Sequence, residues 1–134
     1  MGDVGSHFEL SCLYRDGQGV QRNRKKQIFH LEEAAIGGDP VARHNLGCVH
    51  SRDFFTWGTA VKHLKIAANL GYDGSLRSLR EMYTKNVVSK EEYAAALRGH
   101  QAAVNATKSP HRVQAEEFMR RQGFRYNPLT RRWE

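Results

Sequence analysis

Leu31-Glu32-Glu33-Ala34-Ala35-Ile36-Gly37-Gly38 and Leu64-Lys65-Ile66-Ala67-Ala68-Asn69-Leu70-Gly71 are one pattern written twice. The leucine, both alanines and the closing glycine each recur 33 residues on. The helix after each glycine repeats as well, Leu46 and His50 being answered by Leu79 and Tyr83 at the same spacing. Upstream, Leu10 and Tyr14 precede Leu46 and His50 by 36, so the first unit has a loop about three residues longer. A period in this range with two helices per unit predicts an α/α solenoid, whose stacked hairpins share a core that none buries alone. The alanine pair fits that plan, because small side chains let the second helix of a unit approach its neighbours closely.

Helical spacing extends outward from these two stretches. Ile28, Leu31, Ala34 and Ala35 form one apolar stripe, and Ala60, Leu64, Ala67, Ala68 and Leu70 form the next. Leu76, Leu79 and Tyr83 continue at the same period, and Tyr93, Ala96, Leu97 and Val104 mark a further helix. No stretch alternates long enough to predict a strand, so the expected class is all-α. The punctuation agrees. Asp39-Pro40 and Ser109-Pro110 each read as an N-cap followed by proline at the first helical position. Ser89 to Glu92 reads as a capping box, and Gly37-Gly38 and Gly71 as helix stops.

The 134 residues, 40% hydrophobic and 26% charged, are the size and composition of one folded domain. No apolar run approaches the roughly 20 residues that span a bilayer, and residues 1–10 show no secretory signal, so a cytoplasmic or nuclear setting is expected. Cys12 and Cys48 are too few for a disulfide scaffold and lack zinc-site spacing. The net charge of +7 points to a polyanionic partner, either an acidic protein surface or a nucleic acid. The charge gathers in the 21–26 loop (Arg22, Arg24, Lys25, Lys26) and beyond residue 107, where seven basic residues stand against three acidic ones.

Together, Leu13-Tyr14-Arg15-Asp16-Gly17-Gln18-Gly19-Val20, Lys26, the stretch from Leu31 to Gly38 and Ala42-Arg43-His44-Asn45-Leu46-Gly47 resemble the Sel-1-like repeat family, a relative of the tetratricopeptide repeats. The wording from Ala42 to Cys48 is similar to Sel-1-like proteins of diatoms and related algae. The resemblance implies a superhelix of antiparallel helix pairs serving as a scaffold or adaptor. Units are expected at about 6–38, 39–71 and 72–107, with a capping helix at about 109–122 and a basic aromatic tail at 123–134. The pattern has departures. Ser51 to Gly58, with Phe54, Phe55 and Trp57, replaces the glycine loop in unit two. Ser11 and Arg80 stand where unit two has Gly47, and the last helix keeps Leu97 but has His100-Gln101 in place of the alanine pair. With little more than two full repeats, either the cap closes the array or the chain dimerises or belongs to something larger.

The resemblance implies a concave binding face lined by the first helix of each pair. By register that face carries Phe8 and Cys12, then His44 and Cys48, then Arg77 and Glu81. Phe54, Phe55 and Trp57 are a second candidate, either filling the gap of the missing glycine loop or anchoring a partner. His30 and His63 share a repeat position, and none of the seven histidines falls in a metal-binding motif. Neither a Walker loop, nor a G-x-S-x-G elbow, nor a dinucleotide fingerprint is present. The expectation is a non-catalytic module with no cofactor and no metal, binding a protein. Nucleic-acid binding through the 21–26 loop and the tail is the alternative, the tail's Phe124, Tyr126 and Trp133 otherwise packing on the last helices.

Overall fold

The computed structural model describes residues 3–107 and 110–134. Seven α-helices occur among them: α1 (Val4–Asp16), α2 (Arg24–Ile36), α3 (Pro40–His50), α4 (Trp57–Asn69), α5 (Asp73–Thr84), α6 (Lys90–Ala106) and α7 (Pro110–Arg121). A short 3-10 turn, Phe54–Thr56, precedes α4. The chain forms two compact units, Met1–Ala103 and Val104–Glu134.

In the first unit each helix from α1 to α5 packs on the next. The helix boundaries follow the expected punctuation. The Asp39 carboxylate accepts from the Val41 and Ala42 N–H groups, and Ser89 and Glu92 bond reciprocally as a capping box. Gly17, Gly19, Gly38 and Gly71 all adopt positive φ, where a side chain would be strained.

Two apolar clusters form the core. Leu31, Ala34, Ala35, Ala42, Leu46 and Val49 make the first, and Val61, Leu64, Ala68, Leu79, Val88 and Ala96 the second. The expected stripes of α2 and α4 are therefore the buried ones, with one exception. Leu70 caps α4 and is 49% exposed.

Every hairpin is also fastened by a stacked ring pair. Tyr14 stacks on His30 with an interplanar angle of 2°, His50 on His63 at 16°, and Tyr83 on Tyr93 at 6°. The histidines at the shared repeat position are ring partners in this clasp.

The third hairpin departs from the expected register. α6 begins 33 residues after α4, but its buried face is displaced by one residue. Ala96 is 3% exposed and Leu97 is 42% exposed, the reverse of what the repeat spacing predicts. In the displaced register Gly99 and His100 stand where α4 has Ala67 and Ala68. In the expected one Gln101 would enter the close-packed alanine position, and burying its amide without partners is costly. The observed register turns Gln101 outward, brings Gly99 against the Asn69 side chain and lets His100 Nε2 meet Asp73 Oδ1 at 2.6 Å.

The second unit contains α7, the expected cap helix; its expected N-cap residue Ser109 lies outside the described residues. The 123–134 segment is a β-hairpin, where the sequence predicted no strand. β1 (Tyr126–Asn127) pairs antiparallel with β2 (Arg132–Trp133), and the Tyr126 and Trp133 rings lie 5.5 Å apart. The aromatics thus pack on each other across the hairpin. Asn127 forms the turn, its side-chain oxygen accepting from the Leu129 and Thr130 N–H groups.

Candidate partner-binding grooves

The first-helix face is built by α3 and α5. His44, Cys48 and Arg52 succeed one another down α3 and just past its end at intervals of four. His44 is half-buried against the Tyr72 ring, 4.9 Å between centroids. Its Nδ1 lies 2.8 Å from the Ser75 hydroxyl and its Nε2 3.3 Å from Cys48 Sγ. Burial, and secondarily the Arg77 guanidinium, depress the His44 pKa, while burial raises that of the Cys48 thiol. Both shifts favour the neutral form of the group. The Ser75–His44–Cys48 chain satisfies polar atoms at a helix junction, and shifts in these directions run opposite to those of a thiolate–imidazolium pair.

The other members of the expected face divide. Phe8 packs against the first core cluster and Cys12 is half-buried. Arg77 is exposed, and Glu81 is exposed and paired with Lys85 at 3.2 Å. Of the aromatics, Trp57 turns inward and donates its indole N–H to the Ser51 carbonyl at 2.9 Å. Phe54 and Phe55 stay out, 71% and 92% exposed. Both readings of this loop therefore apply, each to different residues.

A groove of about 350 Å³ between α3, α4 and α5 brings Cys48, Trp57 and Glu81 together, over a floor of Leu64, Met82 and Val87. One repeat earlier a groove of about 90 Å³ occupies the same place between α1, α2 and α3. Its Leu31, Asn45, Cys48, Val49 and Arg52 are the repeat equivalents of Leu64, Ser78, Glu81, Met82 and Lys85 in the larger one. The sizes differ in keeping with Arg15 in the first groove having the shorter Ser51 as its counterpart in the second.

No family model matches the chain, and no curated protein does. Solved structures do. A Sel1 repeat protein from Oxalobacter formigenes is 28% identical, with a TM-score of 0.61 over 79% of this chain. A protective antigen of uropathogenic Escherichia coli strains, displaying an SLR fold, is 25% identical, with a TM-score of 0.60 over 72%. The chain shares the helical-repeat fold of these Sel1 repeat proteins. It spans 32% and 22% of the lengths of those two solved chains.

Within the repeat array, Gly47 shows why a glycine follows the first-helix leucine. A Cβ there would lie 2.7 Å from Leu64 Cγ and 3.2 Å from the Ala60 carbonyl oxygen. Ser11 fills the equivalent place in α1, where its hydroxyl donates to the Phe8 carbonyl at 2.6 Å. Sequence reasoning missed Ser75, the partner that orients His44. Its signal was present: Ser75 stands 33 residues after Ala42, a polar residue at a fully buried repeat position. Arg43 was missed too, although it ties two hairpins by donating to the Ala35 carbonyl and lying 3.3 Å from His63 Nδ1. Among the described residues no group of three or more His, Cys, Asp or Glu side chains is arranged to hold a metal ion, and no helix is long and apolar enough to cross a membrane.

Proposed function

We propose that this chain is a non-catalytic scaffold that binds a protein along its first-helix face, in the grooves between successive repeats. The observation that carries the reading is the recurrence of one groove at equivalent positions of consecutive units, with Cys48 lining both. A surface that repeats with the fold suits an extended partner, which meets the same kind of pocket at each step. The partner is acidic. Arg52 and Arg77 are exposed along this face, and the chain as a whole carries +7. His44, Cys48, Arg77, Glu81 and Trp57 are the contact residues, with Phe8 and Cys12 supporting them from the core side.

The basic 21–26 stretch, the centre of the nucleic-acid alternative, is not a loop throughout: Arg24, Lys25 and Lys26 form the first turn of α2, and part of the stretch is engaged within the fold. Arg22 donates to the Arg15 carbonyl, Asn23 caps α2, and Lys26 sits over the Tyr14 ring at 5.3 Å. An affinity pull-down from native extract, at low and high salt and with nuclease treatment, tests the reading. A protein retained through nuclease treatment and moderate salt supports it. Recovery of nucleic acid that salt strips off contradicts it.

A further inference from the structure

A second and larger groove, sharing Trp57, Lys85 and Val87 with the first, opens at the tips of the second and third hairpins. It holds about 640 Å³ and lies between the Phe54–Thr56 turn, the first turns of α4 and the loop after α5. Its floor is Trp57, Val61 and Val87, and Phe54 forms a wall. The loop that replaces the family's glycine turn builds this wall, so the groove is a product of that departure. The Trp57 N–H is already spent on Ser51, which leaves the floor only ring and alkyl surface to offer.

The rim is cationic. Lys62, Lys65 and Lys85 line it, and among the described lining residues the one carboxylate is Glu92. Glu92 is committed elsewhere: Oε1 accepts from Lys65 Nζ at 2.7 Å and Oε2 from the Ser89 N–H at 3.1 Å. Lys85 meets only Glu81, in a pair whose side chains are 67% and 69% exposed, and such pairs contribute little. Lys62 and Lys85 therefore stand over an apolar floor without lasting counter-charge. The volume falls in the range of ligand-binding clefts.

We infer that this groove docks an acidic segment of the protein partner, one apolar side chain resting on the Trp57–Val61–Val87 floor and carboxylates meeting Lys62 and Lys85. The inference rests on the scaffold reading above and adds a second point of attachment to it. An acidic peptide supplies both halves of this chemistry within a few residues. The exposed Phe54 and Phe55 extend the apolar surface on one side.

Gly58 supplies the clean test, because a Cβ built on it has nothing within 4 Å. Gly58→Trp fills the groove without disturbing α4, which circular dichroism checks. The intact chain is panned against displayed random short peptides, and enriched sequences are synthesised and measured by fluorescence anisotropy. Enriched peptides are expected to combine Asp or Glu with a single Leu, Ile, Phe or Trp. Their affinity should fall about tenfold or more in G58W and in K62E/K85E, and stay unchanged in K25E. Failure to enrich any peptide, enrichment of basic or uncharged ones, or indifference to both variants overturns the inference. Acidic peptides that lose binding only in Ser78→Trp, which fills the α3–α5 groove, also overturn it while leaving the scaffold reading standing. Binding to phosphatidylserine vesicles in place of peptides, abolished by Phe55→Ala, would assign the surface to a membrane and overturn it as well.

Discussion

The second and third hairpins start from the same plan and end differently. In the second, α4 lies close along both α3 and α5, and its Ala67-Ala68 pair is fully buried. In the third, Ala96 is the residue of α6 that enters the second core cluster, and side chains fasten the junction: Tyr93 on Tyr83, Lys65 to Glu92, Asp73 to His100. The difference teaches that the cap fixes where a repeat helix begins, whereas the small residues fix which face it buries. Without the alanine pair, the register at Ser89 survives but the face turns by one residue.

The leucines give the largest contrast. Leu64→Ala should cost about 2–5 kcal/mol, since Leu64 is buried at the centre of the second cluster. Leu97→Ala, one repeat on, should change stability by no more than about 0.5 kcal/mol. Urea unfolding of both variants decides it, and equal losses would restore the expected register to α6. Next come the glycines. Gly47→Ala drives a methyl against Leu64 and the Ala60 backbone and should cost about 1–3 kcal/mol. Gly99→Ala meets first the Asn69 side chain, which can swing aside, so the same measurement should show a smaller loss.

The cap comes third. Ser89→Ala should cost about 1 kcal/mol, tracked by the loss of α6 helicity in far-ultraviolet circular dichroism. The smallest effect is on pH. His30, His44 and His63 all have depressed pKa values, with burial the first cause in each; His7 adds to it at His30 and Arg43 at His63. Unfolded, these rings take up protons near about pH 6.5, before the folded protein does. Their contribution is thus whole above that value and is lost as pH falls through their folded pKa values. The third clasp, Tyr83 on Tyr93, contains no histidine. Melting temperatures at about pH 7.5 and about pH 5 should differ for the native chain and differ less in H30F/H63F.

The repeat, the starts of α3 at Asp39-Pro40 and of α6 at Ser89, and the buried faces of α2 and α4 were legible, because they depend on local spacing and caps; α2 and α4 begin at Arg24 and Trp57, inside stretches that read as loops. The face of α6 was not, since it depends on what α4 and α5 accept at the junction. Leu70 misled for a related reason: it completes a periodic stripe but falls past the last helical turn. The terminal hairpin was hidden by its two-residue strands, although Asn127-Pro128 is a turn signal. At the grooves the sequence indicated Cys48, Trp57 and Glu81. It did not indicate that Trp57 would turn inward, its indole N–H reaching the Ser51 carbonyl, while Phe54 at 5.0 Å from the Trp57 ring and Phe55 beyond it stay exposed.

The most direct test of the scaffold role is site-specific photo-crosslinking in native extract, with the reactive residue placed at Ser78 in one variant and at Lys25 in another. A scaffold that binds through the α3–α5 groove gives a discrete protein adduct from position 78 and none from position 25. A nucleic-acid adduct at position 25 with nothing captured at 78 would contradict that role and move the function to the basic loop.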